Sequence, residues 1–592
     1  MNSNKVKEKS FKILFAFTAA LCIVAVIAIF AFLIIKSVPT FRRIGFFEFI
    51  FGKEWKPNVD DGFTGEIKGK YGVFKMIIGT IVATLGSVIV GGVLGFFTAV
   101  FISKFCPKKL KGAFVTVINL LAGIPSVIFG FFGMVVLLPK LGVFSETGSG
   151  SGLLAVSLIL GLMILPTVVS LSKTSIDAVP DSYYEGARAL GATHEQAVFR
   201  AVVPAAKSGI VASIILGIGR AVGETMAVIM VAGNVVEYPK GLFQSFRVLT
   251  ANIVMEMGYA GDLQLGALIS TGVVLLLFIL IINLLTGLAT SGGKKDKTHK
   301  KRSIEPLAKF FHAIKIEKIG KIVAYVAAVI ASIGLISIIL FVCVNGIPHL
   351  TTQLLFGKYS VRNISIFPAI VTTLMTVGIS LVIAVPIGVF TAIFLNEYSK
   401  KGSKVVRIIR SAIDILAGVP SIVYALFGMV TFVAWFNGRQ SILAGSLTIA
   451  IMLLPTVVRS TEESLKSVSD TLREGSLALG AGKVRTIFKV VLPSALPGIA
   501  SAIILAMGRV VSESAPFVYT MGNCLTTMPK GVMSDGTTLA VALYTLAGEG
   551  QYLNEAYATA FVLLVIVLAL NLLANLITKK LDKKLKGSKN GK

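Results

Sequence analysis

From Ser208 to Val236 the chain reads SGIVASIILGIGRAVGETMAVIMVAGNVV, apolar enough to cross a bilayer, yet Arg220 and Glu224 sit near its middle. A charge at the bilayer centre costs roughly 2.5 to 3.5 kcal/mol on insertion scales, so such residues are read first as functional groups facing a bundle interior or a wet cavity. The stretch returns in the second half as PGIASAIILAMGRVVSESAPFVYTMGN, with Arg509 and Glu513 each 289 positions beyond their counterparts. Residues four apart share one face of a helix, so the spacing predicts two cation–carboxylate pairs placed opposite each other. The chemistry they suggest is transient anion binding, because a guanidinium meets a tetrahedral oxyanion with a rigid fork of donors. The competing reading is polar glue between helices, but membrane interfaces mostly use small and uncharged residues for that. Gly217, Gly219 and Gly223, with Gly508, Ser512 and Ser514 in the second copy, fit either reading.

The rest of the composition says what must hold these groups. The chain has 592 residues, 55% of them hydrophobic and 15% charged, with mean hydropathy +0.85, which predicts an all-α integral membrane protein in a lipid bilayer. The net charge of +28 does not point to nucleic acid, because the basic residues flank apolar spans instead of covering a polar domain. Residues 294–321 hold ten Lys/Arg against three acidic residues, and 579–592 hold seven Lys against Asp582. This bias places both stretches, and both termini, on the cytoplasmic side. Cys22, Cys106, Cys343 and Cys524 are scattered singly and read as packing residues. His194, His299, His312 and His349 are equally dispersed, so no metal site is expected.

Along the chain, the apolar run from about Phe11 to Ile35 is too long for a cleaved signal and reads as a first span. A polar external segment with Trp55, Pro57, Asp60 and Asp61 follows. Further spans run from about Val73 to Ile102, through GIPSVIFGFFG (Gly123–Gly133), up to LPTVV near Ser172, through the Arg220 stretch, and from about Leu265 to Leu288. The pattern then repeats: GVPSIVYALFG (Gly418–Gly428) echoes GIPSVIFGFFG, and LLPTVV recurs at Leu453–Val458. The expectation is about twelve transmembrane helices in two six-helix repeats. Its divisions are a first half at 1–291, a basic cytoplasmic linker with an interfacial helix at 292–320, and a second half at 321–592. An even number of spans per half makes the repeat parallel, related by an axis along the membrane normal, with Arg220 and Arg509 at one depth.

Between Lys173 and Lys207 lies a charged cytoplasmic insertion containing EGARALGATHEQAVFRAVVP, from Glu185 through Gly191 to Pro204. Its counterpart, EGSLALGAGKVRTIFKVVLP, runs from Glu474 through Gly480 to Pro493. Each reads as a short helix, a glycine turn, a second short helix and a proline before the next span.

These loops resemble the EAA motif of ABC-importer permeases, whose short coupling helix docks on the ATP-binding subunit. Glutamate, the glycine six positions on and the proline thirteen further match in both halves. Gly186 and Gly475 stand where the motif prefers alanine, a residue found next in the first half as Ala187 and replaced by Ser476 in the second. More specifically, GRAVGETMAVIMVAGN (Gly219–Asn234) resembles the PstC permease of phosphate-specific importers, and GRVVSESAPFVYTMGN (Gly508–Asn523) resembles its PstA partner, here joined in one chain. The resemblance implies a type I ABC-importer permease fold, and a cell-membrane protein importing inorganic phosphate delivered by an external binding protein.

By the same resemblance, Arg220, Glu224, Arg509 and Glu513 serve the substrate pathway. Glu185, Ala187, Gly191, Pro204, Glu474, Gly480 and Pro493 serve coupling to two copies of an ATPase subunit. No GxxxxGK[ST] pattern occurs, so the chain is not expected to be an enzyme or to hold ATP or another cofactor itself. The alternatives are a permease for sulfate or molybdate and a proton-coupled secondary transporter using Glu224 and Glu513 as proton carriers.

Overall fold

The computed structural model describes residues 2–57, 69–146, 148–291, 316–360, 363–399, 403–525 and 528–587. Asp60, Asp61 and the linker up to residue 315 lie outside the described residues; from Ile316 the chain is already in a long helix that runs to Gly346. Helix dominates because an apolar run in lipid must satisfy its backbone N–H and C=O groups within itself. The described strands are one small antiparallel pair, Trp55–Lys56 with Lys70–Tyr71.

Among the described residues nine helices are long and apolar enough to cross a membrane, or up to eleven if each of two bent pairs counts as one span. The expected number was about twelve. The shortfall lies at three places: the GIPS and GVPS motifs, where proline interrupts the helix, and the Arg220 stretch, where His194–Ala205 and Lys207–Gly223 meet at 69°. Lys108–Ala122 stops before Pro125, and Ser126–Phe132 starts after it. In the second half Val406–Gly418 and Ser421–Val433 meet at 98° across Pro420. Proline has no N–H to give the preceding turn and pushes its neighbour out of the helical region, so each stretch is broken and not a straight rod.

Two compact units form, and they cut across the halves of the sequence. One unit comprises Met1–Gly45, Glu256–Val273 and Asn345–Lys592; the other comprises Phe46–Met255 and Val274–Val344. The helix that begins each half therefore packs in the unit built mainly from the other half. In the first of these units Phe15 of the N-terminal helix (Asn2–Ile44) is fully buried, 5.3 Å from the Phe390 ring and 5.5 Å from that of Tyr398. In the other, Tyr325 of the Ile316–Gly346 helix donates to the Phe105 carbonyl, and Phe341 lies 5.4 Å from Phe132. None of the four cysteines is in a disulfide; Cys22 is buried, as expected of a packing residue, Cys106 and Cys343 are half-buried, and Cys524 is exposed, which corrects the packing reading there.

Each unit has a central proline-containing helix, Leu153–Asp177 with Pro166 and Ile442–Lys466 with Pro455. A neighbouring helix approaches each of them through a glycine. A Cβ built on Gly95 would lie 2.9 Å from the Val168 side chain, and one on Gly388 would lie 2.6 Å from that of Val457. No larger residue fits at that separation, so backbone proximity and dispersion replace a hydrophobic driving force that lipid does not supply. Ser172 and Ser213, 2.6 Å apart, add a hydrogen bond between the first proline helix and the Arg220 helix.

Candidate substrate path and coupling loops

The Arg220 helix spans Lys207–Gly223 and the Arg509 helix spans Leu492–Ser512. Both end one residue before the glutamate. Glu224 (φ −70°, ψ 136°) and Glu513 (φ −79°, ψ 142°) are extended, and short helices resume at Met226–Val231 and Ala515–Thr520. The single helix with arginine and glutamate on one face is thus corrected to a broken helix, with the arginine in its last turn and the glutamate at the break. Pro516, in the first turn of the resumed helix, has no N–H to continue the run. In the first copy the freed groups find side-chain partners. The Glu224 carboxylate accepts from the Ala227 N–H at 3.2 Å, and the Glu224 carbonyl accepts from the Thr250 hydroxyl at 2.9 Å. An interrupted backbone at membrane depth is tolerated only with such satisfaction or beside a water-filled space.

All four charged residues are half-buried. The Arg509 Nε and Glu513 Oε1 atoms are 3.7 Å apart, so that pair persists despite the break. Each arginine also has a partner that the sequence reading missed. Arg220 Nη1 donates to Thr167 Oγ1 at 3.0 Å, and Arg509 Nη1 donates to Thr456 Oγ1 at 3.1 Å. Both threonines directly follow the proline of the central helix, in the two LPTVV stretches. The signal was their shared offset of 289, the same as that of the arginines. What the geometry offers in each unit is a guanidinium held by a hydroxyl, with a glutamate at the helix break that follows; in the second copy that carboxylate lies beside the guanidinium. Such a set is able to take an oxyanion and to sense whether that anion carries a proton.

The insertions fold as expected, with Glu185 and Ala187 on the Asp181–Ala189 helix and Glu474 on Asp470–Ala478. The turns fall at Gly191 (φ +86°) and Gly480 (φ +82°), a region of backbone that branched residues resist. Second short helices follow at His194–Ala197 and Lys483–Thr486; each runs through a π-helical turn to Pro204 or Pro493 in the first turn of the next helix. Neither first helix buries a residue, and the leucines at the tips, Leu190 and Leu479, are 91% and 90% exposed. Space also surrounds Gly186 and Gly475, so the alanine that the motif prefers would fit at either.

The two loops are anchored differently. In the first, His194 lies between Tyr184 and the Lys104 carbonyl at 2.7 and 3.1 Å. A carbonyl only accepts, so Nε2 carries the hydrogen and Nδ1 accepts from the tyrosine. In the second, Arg473 replaces Tyr184; it binds Glu397 at 3.0 Å and the Val468 and Leu465 carbonyls at 2.6 and 2.7 Å. Among the described residues no cluster of three or more His, Cys, Asp or Glu is able to hold a metal ion.

Comparison with known proteins agrees with this architecture. The family described as "Binding-protein-dependent transport system inner membrane component" matches twice, over residues 91–291 and 384–587. The chain is 28% identical over 581 residues to a "Phosphate transport system permease protein PstA homolog" of Mycoplasma pneumoniae, covering 85% of this chain and 84% of that one. It is 31% identical over 283 residues to "Phosphate transport system permease protein PstC" of Pasteurella multocida, 43% of this chain and 85% of that one. Over 157 residues it is 43% identical to "Phosphate transport system permease protein PstA 1" of Mycobacterium tuberculosis (strain CDC 1551 / Oshkosh), 26% of this chain and 51% of that one. With two family matches that together span more than half its length, and helices fit to cross a membrane many times, this chain belongs to the binding-protein-dependent transport system inner membrane components.

Proposed function

We propose that this chain forms the membrane pathway of an ATP-driven importer of inorganic phosphate, with both permease halves in one polypeptide. The observation that carries the reading is similarity along most of the chain to a relative named as a phosphate permease. The paired Arg–Thr–Glu sites supply suitable chemistry. An external binding protein delivers phosphate, two copies of a separate ATPase subunit dock on the coupling loops, and both termini face the cytoplasm. The chain itself hydrolyses no ATP and holds no cofactor. The test is reconstitution in vesicles with the ATPase and the binding protein. ATP-dependent uptake of phosphate, with sulfate and molybdate excluded and no loss on adding a protonophore, supports the reading. Uptake without the ATPase that collapses with a protonophore would replace it with a secondary transporter, and native mass spectrometry without a bound ATPase would count against the partner assignment.

Two outcomes concern selectivity and rate. Phosphate near neutral pH keeps at least one proton whereas sulfate keeps none, so a carboxylate beside the arginines accepts a hydrogen bond from the first and repels the second. With anion supplied directly to the permease in vesicles, Glu224→Gln is expected to lower phosphate uptake moderately and to narrow the phosphate-to-sulfate ratio. An unchanged ratio would reduce Glu224 to a counter-charge. Thr167→Val or Thr456→Val removes the acceptor that holds a guanidinium while keeping the side chain's shape. A hydrogen bond from a charged donor is worth about 1.5 kcal/mol at the low end that suits a half-exposed site, so initial uptake rates should fall roughly tenfold. Serine at either position should restore them.

A further inference from the structure

The helices that begin the two halves share a short pattern, Glu8-Lys9-Ser10-Phe11-Lys12-Ile13 and Glu317-Lys318-Ile319-Gly320-Lys321-Ile322, 309 positions apart. In each unit this pattern meets a coupling loop. In the unit containing the first loop, the Glu317 carboxylate accepts from the Arg200 guanidinium, and Lys321 Nζ lies 3.0 Å from Glu195 Oε1. The Phe199 ring lies against Gly320, where an added Cβ would come within 2.9 Å of it. In the unit containing the second loop, Phe488 is the counterpart of Phe199, and it packs 5.3 Å from Phe11, the counterpart of Gly320. There Glu8, the counterpart of Glu317, accepts from the backbone N–H of Lys483 at 2.9 Å.

One residue explains why the same glutamate does two jobs. The second short helix of the first loop is capped by its own Thr193, whose hydroxyl accepts from the Gln196 N–H while the Gln196 side chain accepts from the Thr193 N–H. The matching residue in the second loop is Gly482, which has no side chain to cap with. The first turn of a helix leaves unpaired N–H groups that need an acceptor; Glu8 supplies one from another helix. In the first loop Thr193 gives that turn an acceptor of its own, at the Gln196 N–H, and Glu317 pairs with Arg200 instead.

We infer that Glu317 and Glu8 are positioning residues for energy coupling: each coupling loop is braced by the helix that begins the opposite half of the sequence. The coupling helices bury nothing of their own, so their placement depends on polar ties: in the second loop Arg473 to Glu397, and in both loops the second short helix and what that helix is tied to. The Glu317 and Glu195 carboxylates are 12% and 18% exposed while Arg200 and Lys321 are 51% and 41% exposed, so these pairs are shielded from solvent on the acid side only. A push on either loop is thereby transmitted to both halves of the sequence. This rests on the docking role proposed for the loops.

The test uses the full complex of permease, ATPase and binding protein in vesicles, and reads phosphate imported per ATP hydrolysed. Glu317→Arg and Arg200→Glu are each expected to lower that ratio about fivefold, and the double exchange to bring it back within about twofold. Glu8→Ala should lower it similarly. Gly482→Thr in the Glu8→Ala background should restore much of it, because Gly482 (φ −69°, ψ 158°) has the backbone of Thr193 (φ −67°, ψ 167°) and gains a hydroxyl able to accept from the first turn, though Arg485 stands where Gln196 completes the first cap. An unchanged ratio in the three single variants, or a loss that neither second substitution repairs, would overturn the brace. Retention of the ATPase on each tagged variant shows that assembly survives. An unmodified complex that hydrolyses ATP in response to the binding protein but imports no phosphate would strike the substrate assignment alone. The brace would then be read from the same variants as lost stimulation of ATP hydrolysis, and unchanged stimulation would overturn it.

Discussion

Alanine at Arg220 or Arg509 is expected to reduce phosphate uptake at least a hundredfold while the chain still inserts and retains its ATPase. A hydrogen bond from a charged donor is worth about 1.5 to 3 kcal/mol. A guanidinium offers an oxyanion two in parallel, and every 1.4 kcal/mol is a factor of about ten. The substitution also leaves Thr167 or Thr456 without its donor, and in the second copy it takes from Glu513 the cation 3.7 Å away. Lysine should rescue poorly, because a point charge does not reproduce the fork. The measurement is radiolabelled phosphate entry into vesicles holding equal amounts of assembled complex. Ordinary uptake in both alanine variants would remove the arginines from the pathway.

Valine at Gly191 and at Gly480 is the second large effect, and it acts on coupling. Both glycines have φ near +85°, and nothing lies within 4 Å of an added Cβ, so the penalty is one of backbone conformation and not of collision. A residue forced into that region pays roughly 1 to 2 kcal/mol, more when branched. The turn has no buried side chains to hold it against that strain, so the coupling helix is expected to swing away from its docked position. The doubly substituted permease should lose most ATP-driven uptake while remaining in the membrane at normal levels. Asparagine, which tolerates positive φ, should preserve much of it. Normal transport by the double valine variant would remove this turn from the coupling path.

The repeat, the arginines and the glycine turns were legible in the sequence because the second copy returns the same residues at a near-constant offset, 289 for the arginines and glycine turns and 295 for the GIPS and GVPS prolines. The break at Glu224 was not, because glycine, serine and threonine suit a membrane helix interior as well as its end. Pro516 was the one local sign, and only the second copy has it. Thr167 and Thr456 escaped notice because a lone hydroxyl in an apolar helix is common. The bent stretches at Pro125 and Pro420 were read as plain spans because hydropathy counts apolar residues and not their direction. The exchange of first helices was hidden for a related reason: an apolar run says that a helix meets lipid and neighbours, but not which neighbours.

That exchange has a consequence in time. The N-terminal helix is synthesised first, yet Phe390 and Phe488, against which its own Phe15 and Phe11 pack, emerge from the ribosome several hundred residues later. The unit built on the first half likewise stays unfinished until Ile316–Gly346 has been made. Neither unit closes on contacts from its own stretch of messenger alone. A nascent chain halted after residue 291 would present two unfilled helix-sized faces to lipid and to quality-control proteases. Synthesis as one polypeptide shortens that exposure, because the late helix arrives tethered to the place it must fill.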